Sequence, residues 1–161
     1  MKNFFRMMAI LFIFVWMTVA WAKELPLAPD FKLPDTNDRI VTLSGYRQQQ
    51  PILLFFWTTW CPFCQKELRV LNNAYGELAK NNLKVLAIDA GESRKAVANY
   101  LRGLGFMFDV LLDEDGKVAD SFEVLGVPTY ILINRKGEII FEGNSFPKNY
   151  QELILKSENP E

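Results

Sequence analysis

Apolar positions along this chain fall into short unbroken runs, separated by stretches in which they recur every three or four residues. Residues 51–57, Pro-Ile-Leu-Leu-Phe-Phe-Trp, are apolar throughout, the pattern of a strand buried on both faces. From Cys64 onward Leu68, Leu71, Tyr75 and Leu78 form one stripe, which predicts an amphipathic helix ending at Asn81-Asn82. Residues 83–88 read as a second buried strand. Ser93 is placed to cap a helix running through Tyr100 and Leu101, which Gly103 and Gly105 stop. A short strand over 110–112, a turn at 113–116 and a short helix over 117–122 follow. Residues 129–133 and 138–142, joined by Asn134-Arg135-Lys136-Gly137, predict a hairpin, and 147–156 a closing helix. Upstream, 31–33 and 39–43 bracket the turn-forming tetrad 35–38 and predict a second hairpin.

Strands alternating with helices, then a hairpin and a helix, give a three-layer α/β sandwich around a mixed central sheet. With no repeat and no long linker, residues 23–161 form one domain. Residues 1–22 differ in kind. Lys2 and Arg6 precede an apolar run from Met7 to Ala20, and Ala20-Trp21-Ala22 offers a small-residue cleavage site. That is the layout of a signal peptide. An uncleaved anchor is the alternative, disfavoured because Met7 to Ala22 is only sixteen residues, short of the ~20 that span a bilayer comfortably. Export places the chain in an oxidising compartment.

Charge then removes one class of partner. The chain carries 18 basic and 19 acidic side chains, and loss of Lys2 and Arg6 with the leader leaves 16 bases against 19 acids. Such a surface has no basic field for nucleic acid.

The chemistry concentrates at Trp60-Cys61-Pro62-Phe63-Cys64, which holds both cysteines of the chain. They lie where the strand ends and the helix begins, with Pro62 suited to the first helical turn. Unpaired N–H groups there favour thiolate at Cys61, the more exposed sulfur and the expected nucleophile. Cys64, one turn on and deeper, is the expected resolving residue. Three plainer readings carry less weight. A disulfide closing so small a loop adds only about 2 kcal/mol on the chain-entropy estimate. A zinc site needs about four ligands, and two cysteines with no histidine supply two. Inert core thiols would not need a proline between them at a helix start.

This motif resembles the active site of the thioredoxin superfamily, and Gly126-Val127-Pro128-Thr129 is similar to that superfamily's cis-proline loop. The opening Ala28-Pro29-Asp30-Phe31, Leu43-Ser44-Gly45-Tyr46 and the extra strand and helix around 106–122 resemble the TlpA/ResA-like (DsbE/CcmG-like) exported branch. The resemblance implies an exported thiol–disulfide oxidoreductase, most simply a protein-disulfide reductase, in the periplasm or on the outer face of the inner membrane. It implies electrons from a membrane thiol–disulfide carrier, exported protein disulfides such as apocytochrome c as substrates, a monomer, and no cofactor or metal. It further implies that Pro128 is cis, with the Val127 backbone, Trp60, Pro62 and Phe63 forming the surface that meets substrate. Thioredoxin keeps a buried acid six residues before its first cysteine; that position here is Phe55. Glu67 matches an acidic position of the branch, either tucked under the cysteines to exchange protons with Cys64 or exposed on the wet helix face. Two other functions stay open. Thr58-Thr59-Trp60-Cys61 satisfies the T-x-x-C core of a peroxiredoxin-type thiol peroxidase, although Leu54 replaces its proline and Cys64 is too near to be its usual resolving residue. A copper carrier on the same fold would have to rely on two thiolates without histidine.

Overall fold

The computed structural model describes residues 24–159; the expected leader, 1–22, lies outside them. Two short strands, β1 (Lys32–Pro34) and β2 (Ile40–Thr42), pair antiparallel, with Leu33 opposite Val41. A 3-10 turn, Leu43–Tyr46, follows, so that Leu43, expected as the last residue of the second strand, instead opens this turn. Then come β3 (Ile52–Trp57), α1 (Pro62–Lys80), β4 (Lys84–Ala90), α2 (Arg94–Leu101), β5 (Asp109–Asp113), α3 (Lys117–Ser121), β6 (Thr129–Ile133), β7 (Ile139–Gly143) and α4 (Tyr150–Glu158). The last helix begins three residues later than expected, because the Pro147 carbonyl first accepts the Tyr150 N–H in a turn.

The main sheet has the order β5-β4-β3-β6-β7. β3, β4 and β5 run parallel, while β6 and β7 are antiparallel additions. All six β3 residues are buried, as a central strand covered on both faces must be. Alternation along the strands divides the core in two. Leu53, Phe55 and Trp57 face α1, α2 and α4, together with Val85, Ala87, Tyr130 and Leu132. Ile52, Leu54 and Phe56 face the other way and meet Phe31, Leu33, Leu43 and Phe122. That second layer is therefore made largely by the N-terminal segment, with α3 as its one helix. The segment crosses the whole sheet: Leu27 bridges to Glu138 beside β7, and Asp35 to Leu111 of β5. The parallel β3 and β4 end side by side, Trp57 opposite Asp89, and their C-terminal ends carry the site. Among the described residues no helix is long and apolar enough to cross a membrane.

Candidate active site

Cys61 is the N-cap of α1 and Pro62 its first residue. The Cys61 sulfur accepts the backbone N–H of Cys64 at 3.1 Å, so a donor left unpaired by helix geometry points at this sulfur. Cys61 and Cys64 are joined as a disulfide. Cys64 is fully buried, and Cys61 is only 4% accessible. The expected exposure of Cys61 is thus confined to a sliver of surface, because its sulfur is bonded to Cys64 and lies 3.9 Å from the Val127 carbonyl oxygen. The Val127–Pro128 peptide bond is cis. Trp60 and Phe63, by contrast, stand 69% and 75% exposed on either side of the first cysteine. They leave a large aromatic surface in water beside the disulfide.

Glu67 is not fully exposed on the wet face of the helix. Its side chain is half-buried and accepts the Tyr130 hydroxyl proton at 2.7 Å. Tyr130 lies two residues after Pro128, and its ring packs on Phe55 with centroids 4.6 Å apart. A carboxylate thus reaches from the helix to the tyrosine that packs on Phe55. Burial first, and the Glu67 carboxylate second, push the Tyr130 hydroxyl up from its ordinary value. The bond also ties the second turn of α1 to the strand that follows the proline loop, which brings both halves of the site into one packed unit.

The sequence reading missed a further set of polar residues. Glu92, in the loop between β4 and α2, accepts the Thr59 N–H on one carboxylate oxygen and the Thr59 hydroxyl on the other, the latter at 2.7 Å. The Thr59 carbonyl accepts the Gln65 side-chain amide at 2.8 Å, and Cys61 N–H reaches back to the Thr58 carbonyl. Asp89, wholly buried at the end of β4, accepts the Glu92 N–H. These residues carry no motif of their own. The one available signal was an aspartate inside the otherwise apolar run from Val85 to Ala90.

The family profile described as AhpC/TSA family matches residues 26–142. The chain belongs to that family. It is 37% identical over 113 residues to thiol-disulfide oxidoreductase ResA of Bacillus subtilis, covering 70% of this chain and 63% of that protein. A ResA of Bacillus thuringiensis is 29% identical over 131 residues, or 80% of this chain and 75% of the relative. The chain therefore spans somewhat less than two thirds of the Bacillus subtilis relative. Among solved structures, a Chlorobium tepidum protein described as thiol:disulfide interchange protein DsbE superposes with a TM-score of 0.73 at 24% identity, covering 84% of this chain and 97% of that one. StoA from Bacillus subtilis superposes with a TM-score of 0.65 at 22% identity, over 81% and 98%. At such identities the superpositions establish the thioredoxin fold and nothing finer.

Proposed function

We propose that this chain is an exported thiol–disulfide oxidoreductase that reduces disulfides in particular exported proteins. The observation that carries the reading is the Cys61–Cys64 disulfide at the start of α1, with the Val127 carbonyl beside the first sulfur. In the reduced protein the Cys61 thiolate attacks one sulfur of a substrate disulfide. A mixed disulfide forms and the other substrate sulfur leaves as thiolate, to be protonated. Cys64, once deprotonated, attacks the Cys61 sulfur, releases the second substrate thiol and restores the internal disulfide. Two electrons then return from an external dithiol, for which a membrane thiol–disulfide carrier is the fitting class.

Each site residue has a place in this scheme. Trp60, Pro62 and Phe63 offer apolar surface to the substrate. Val127, held by the bend at Pro128, lends its backbone to an extended substrate segment beside Cys61. Glu67, half-buried and linked to Tyr130, is the group of choice for moving the proton on and off Cys64. Apocytochrome c is the proposed substrate, the periplasm or the outer face of the inner membrane the proposed site of action, and a monomer the acting form. The decisive experiment is trapping: Cys64→Ala, expressed in the export compartment, leaves substrates disulfide-linked to Cys61. Apocytochrome c in the adducts supports the maturation role, and a complete lack of adducts refutes the mechanism.

The family description and the T-x-x-C sequence favour one second reading, a thiol peroxidase. There Cys61 thiolate would be oxidised by hydrogen peroxide to the sulfenic acid, and Cys64 would expel water to form the same disulfide. Peroxide consumption by the reduced protein at a rate matching its disulfide exchange would establish it.

A further inference from the structure

Asp89 is 0% exposed, and it lies on the strand face that packs against α1 and α2, alongside Val85 and Ala87. Oδ1 takes the Glu92 N–H at 3.2 Å, whereas Oδ2 is buried with no hydrogen-bond donor. Glu92, whose N–H already meets Asp89 Oδ1, also brings its carboxyl to bear on the Asp89 side chain. Two carboxylates cannot satisfy one another, because each only accepts; with one proton between them, one donates and the other accepts. Glu92 is already committed as an acceptor, holding both the N–H and the hydroxyl of Thr59. The proton therefore belongs on Asp89.

We propose that Asp89, as a carboxylic acid, donates to the Glu92 carboxylate and so holds the loop that carries Cys61: it is a positioning residue of the redox site, acting through Glu92 and Thr59. The connected path runs from Asp89 to Glu92, from Glu92 to Thr59, and from the Thr59 carbonyl to Gln65 in the first turn of α1. It brackets Cys61 from both sides in sequence. Burial, reinforced by the Glu92 carboxyl, pushes the Asp89 carboxyl up to about 8. The charged groups bearing on Asp89 are both acidic, Glu92 from the β4–α2 loop and Asp113 from β5. From β3 its neighbour is Trp57, which does not titrate and which is backed by Tyr100 of α2. The titratable groups of the site on α1 and its N-cap are Cys61, Cys64 and Glu67. The surroundings thus favour the neutral acid over most of the working range, and ionisation above it would set two negative charges against each other at the base of the loop.

This inference rests on the redox reading of Cys61, and its test separates the two. The reduced full-length protein is followed by the rate of Cys61 alkylation with iodoacetamide between about pH 5 and 10, and by carbon-13 titration of the Asp89 carboxyl. Wild type is expected to show the thiolate inflection together with a second change near the Asp89 transition. Asp89→Asn, whose amide still donates to Glu92, removes that second change. Asp89→Ala, which leaves Glu92 without the donor, alters the alkylation rate at neutral pH by about fivefold, the equivalent of one ordinary hydrogen bond. Circular dichroism establishes that each variant is folded, and the carboxyl titration in wild type needs no variant at all. An Asp89 carboxyl that titrates in the ordinary acid range overturns the proposal, as do superimposable profiles for wild type and Asp89→Asn. Alkylation asks only for a thiol at 61. Failure of the reduced wild type to reduce oxidised glutathione would sink the oxidoreductase reading and leave this measurement standing.

Discussion

The Tyr130–Glu67 bond offers a direct measure of how firmly the two halves of the site are joined. Tyr130→Phe removes one oxygen and leaves the ring on Phe55, so the packing is preserved. What is lost is a 2.7 Å hydrogen bond to a carboxylate, with the tyrosine itself fully buried. Hydrogen bonds to charged groups contribute about 1.5–3 kcal/mol. Glu67 is half-buried and recovers part of that loss from solvent, so about 2 kcal/mol is expected, or a fall in Tm of roughly 4–8 °C for a domain of this size. The assay is urea unfolding of the oxidised form, for Tyr130→Phe, Glu67→Ala and the double variant. The cycle should give a coupling of about 1–2 kcal/mol. The folded-state value of Tyr130 is raised, so above about pH 10 the unfolded tyrosine loses a proton that the folded one keeps. Wild-type stability must therefore decline as pH rises through that region, and this part of the decline must vanish in Tyr130→Phe. A coupling indistinguishable from zero, with identical alkaline slopes, would refute the linkage.

Other consequences follow from the same geometry. Asp89 keeps in the folded state a proton that the unfolded chain releases, so stability should fall between about pH 4 and 8 by up to ~1.4 kcal/mol per unit; Asp89→Asn should flatten that slope in urea titrations, and parallel curves for the two proteins would contradict it. Phe63→Ser, at a 75% exposed position, should change stability by less than ~0.5 kcal/mol while raising KM for protein disulfides and sparing oxidised glutathione. Leu53→Ala, at a fully buried position of β3, should cost about 2–5 kcal/mol, read as a lowered urea midpoint. Gly137→Ala should cost about 1–2 kcal/mol, since Gly137 has φ of +87° and an added Cβ would stand 2.9 Å from Arg47 Nε; an unchanged Tm would argue against that turn geometry.

The strands and helices around the site were legible because each rests on a local rule. Continuous apolar runs announced β3 and β4, a stripe at helical spacing announced α1, and Ser93 does cap α2, accepting the Ala96 N–H at 3.4 Å. The position of the cysteines followed from the join between β3 and α1. What stayed hidden depends on partners far apart in the chain. Glu67 meets Tyr130 across 63 residues and Thr59 meets Glu92 across 33, and neither spacing leaves a mark on periodicity. Phe55 showed where an acid was missing, yet nothing local indicated that Glu67 approaches from the helix or that Asp89 sits one strand away. The N-terminal hairpin was likewise readable as a hairpin, while its service as most of a layer depends on Phe31 and Leu33 finding Phe122 and β3.

The crossing of that N-terminal segment has a bearing on how the molecule is oriented in its surroundings. Ile52, the first residue of β3, is level with Ile133, where β6 ends and the turn to β7 begins. At this turn the Ala28 N–H meets the Gly137 carbonyl, and the Pro26 carbonyl meets the Ile139 N–H. The disulfide sits beyond the opposite end of β3, a strand length of about 20 Å away. Pro26 and Ala28, near the start of the described residues, thus lie at the pole remote from the reactive sulfurs. Were the molecule moored by its beginning, its cysteines would face outward, toward whatever drifts past.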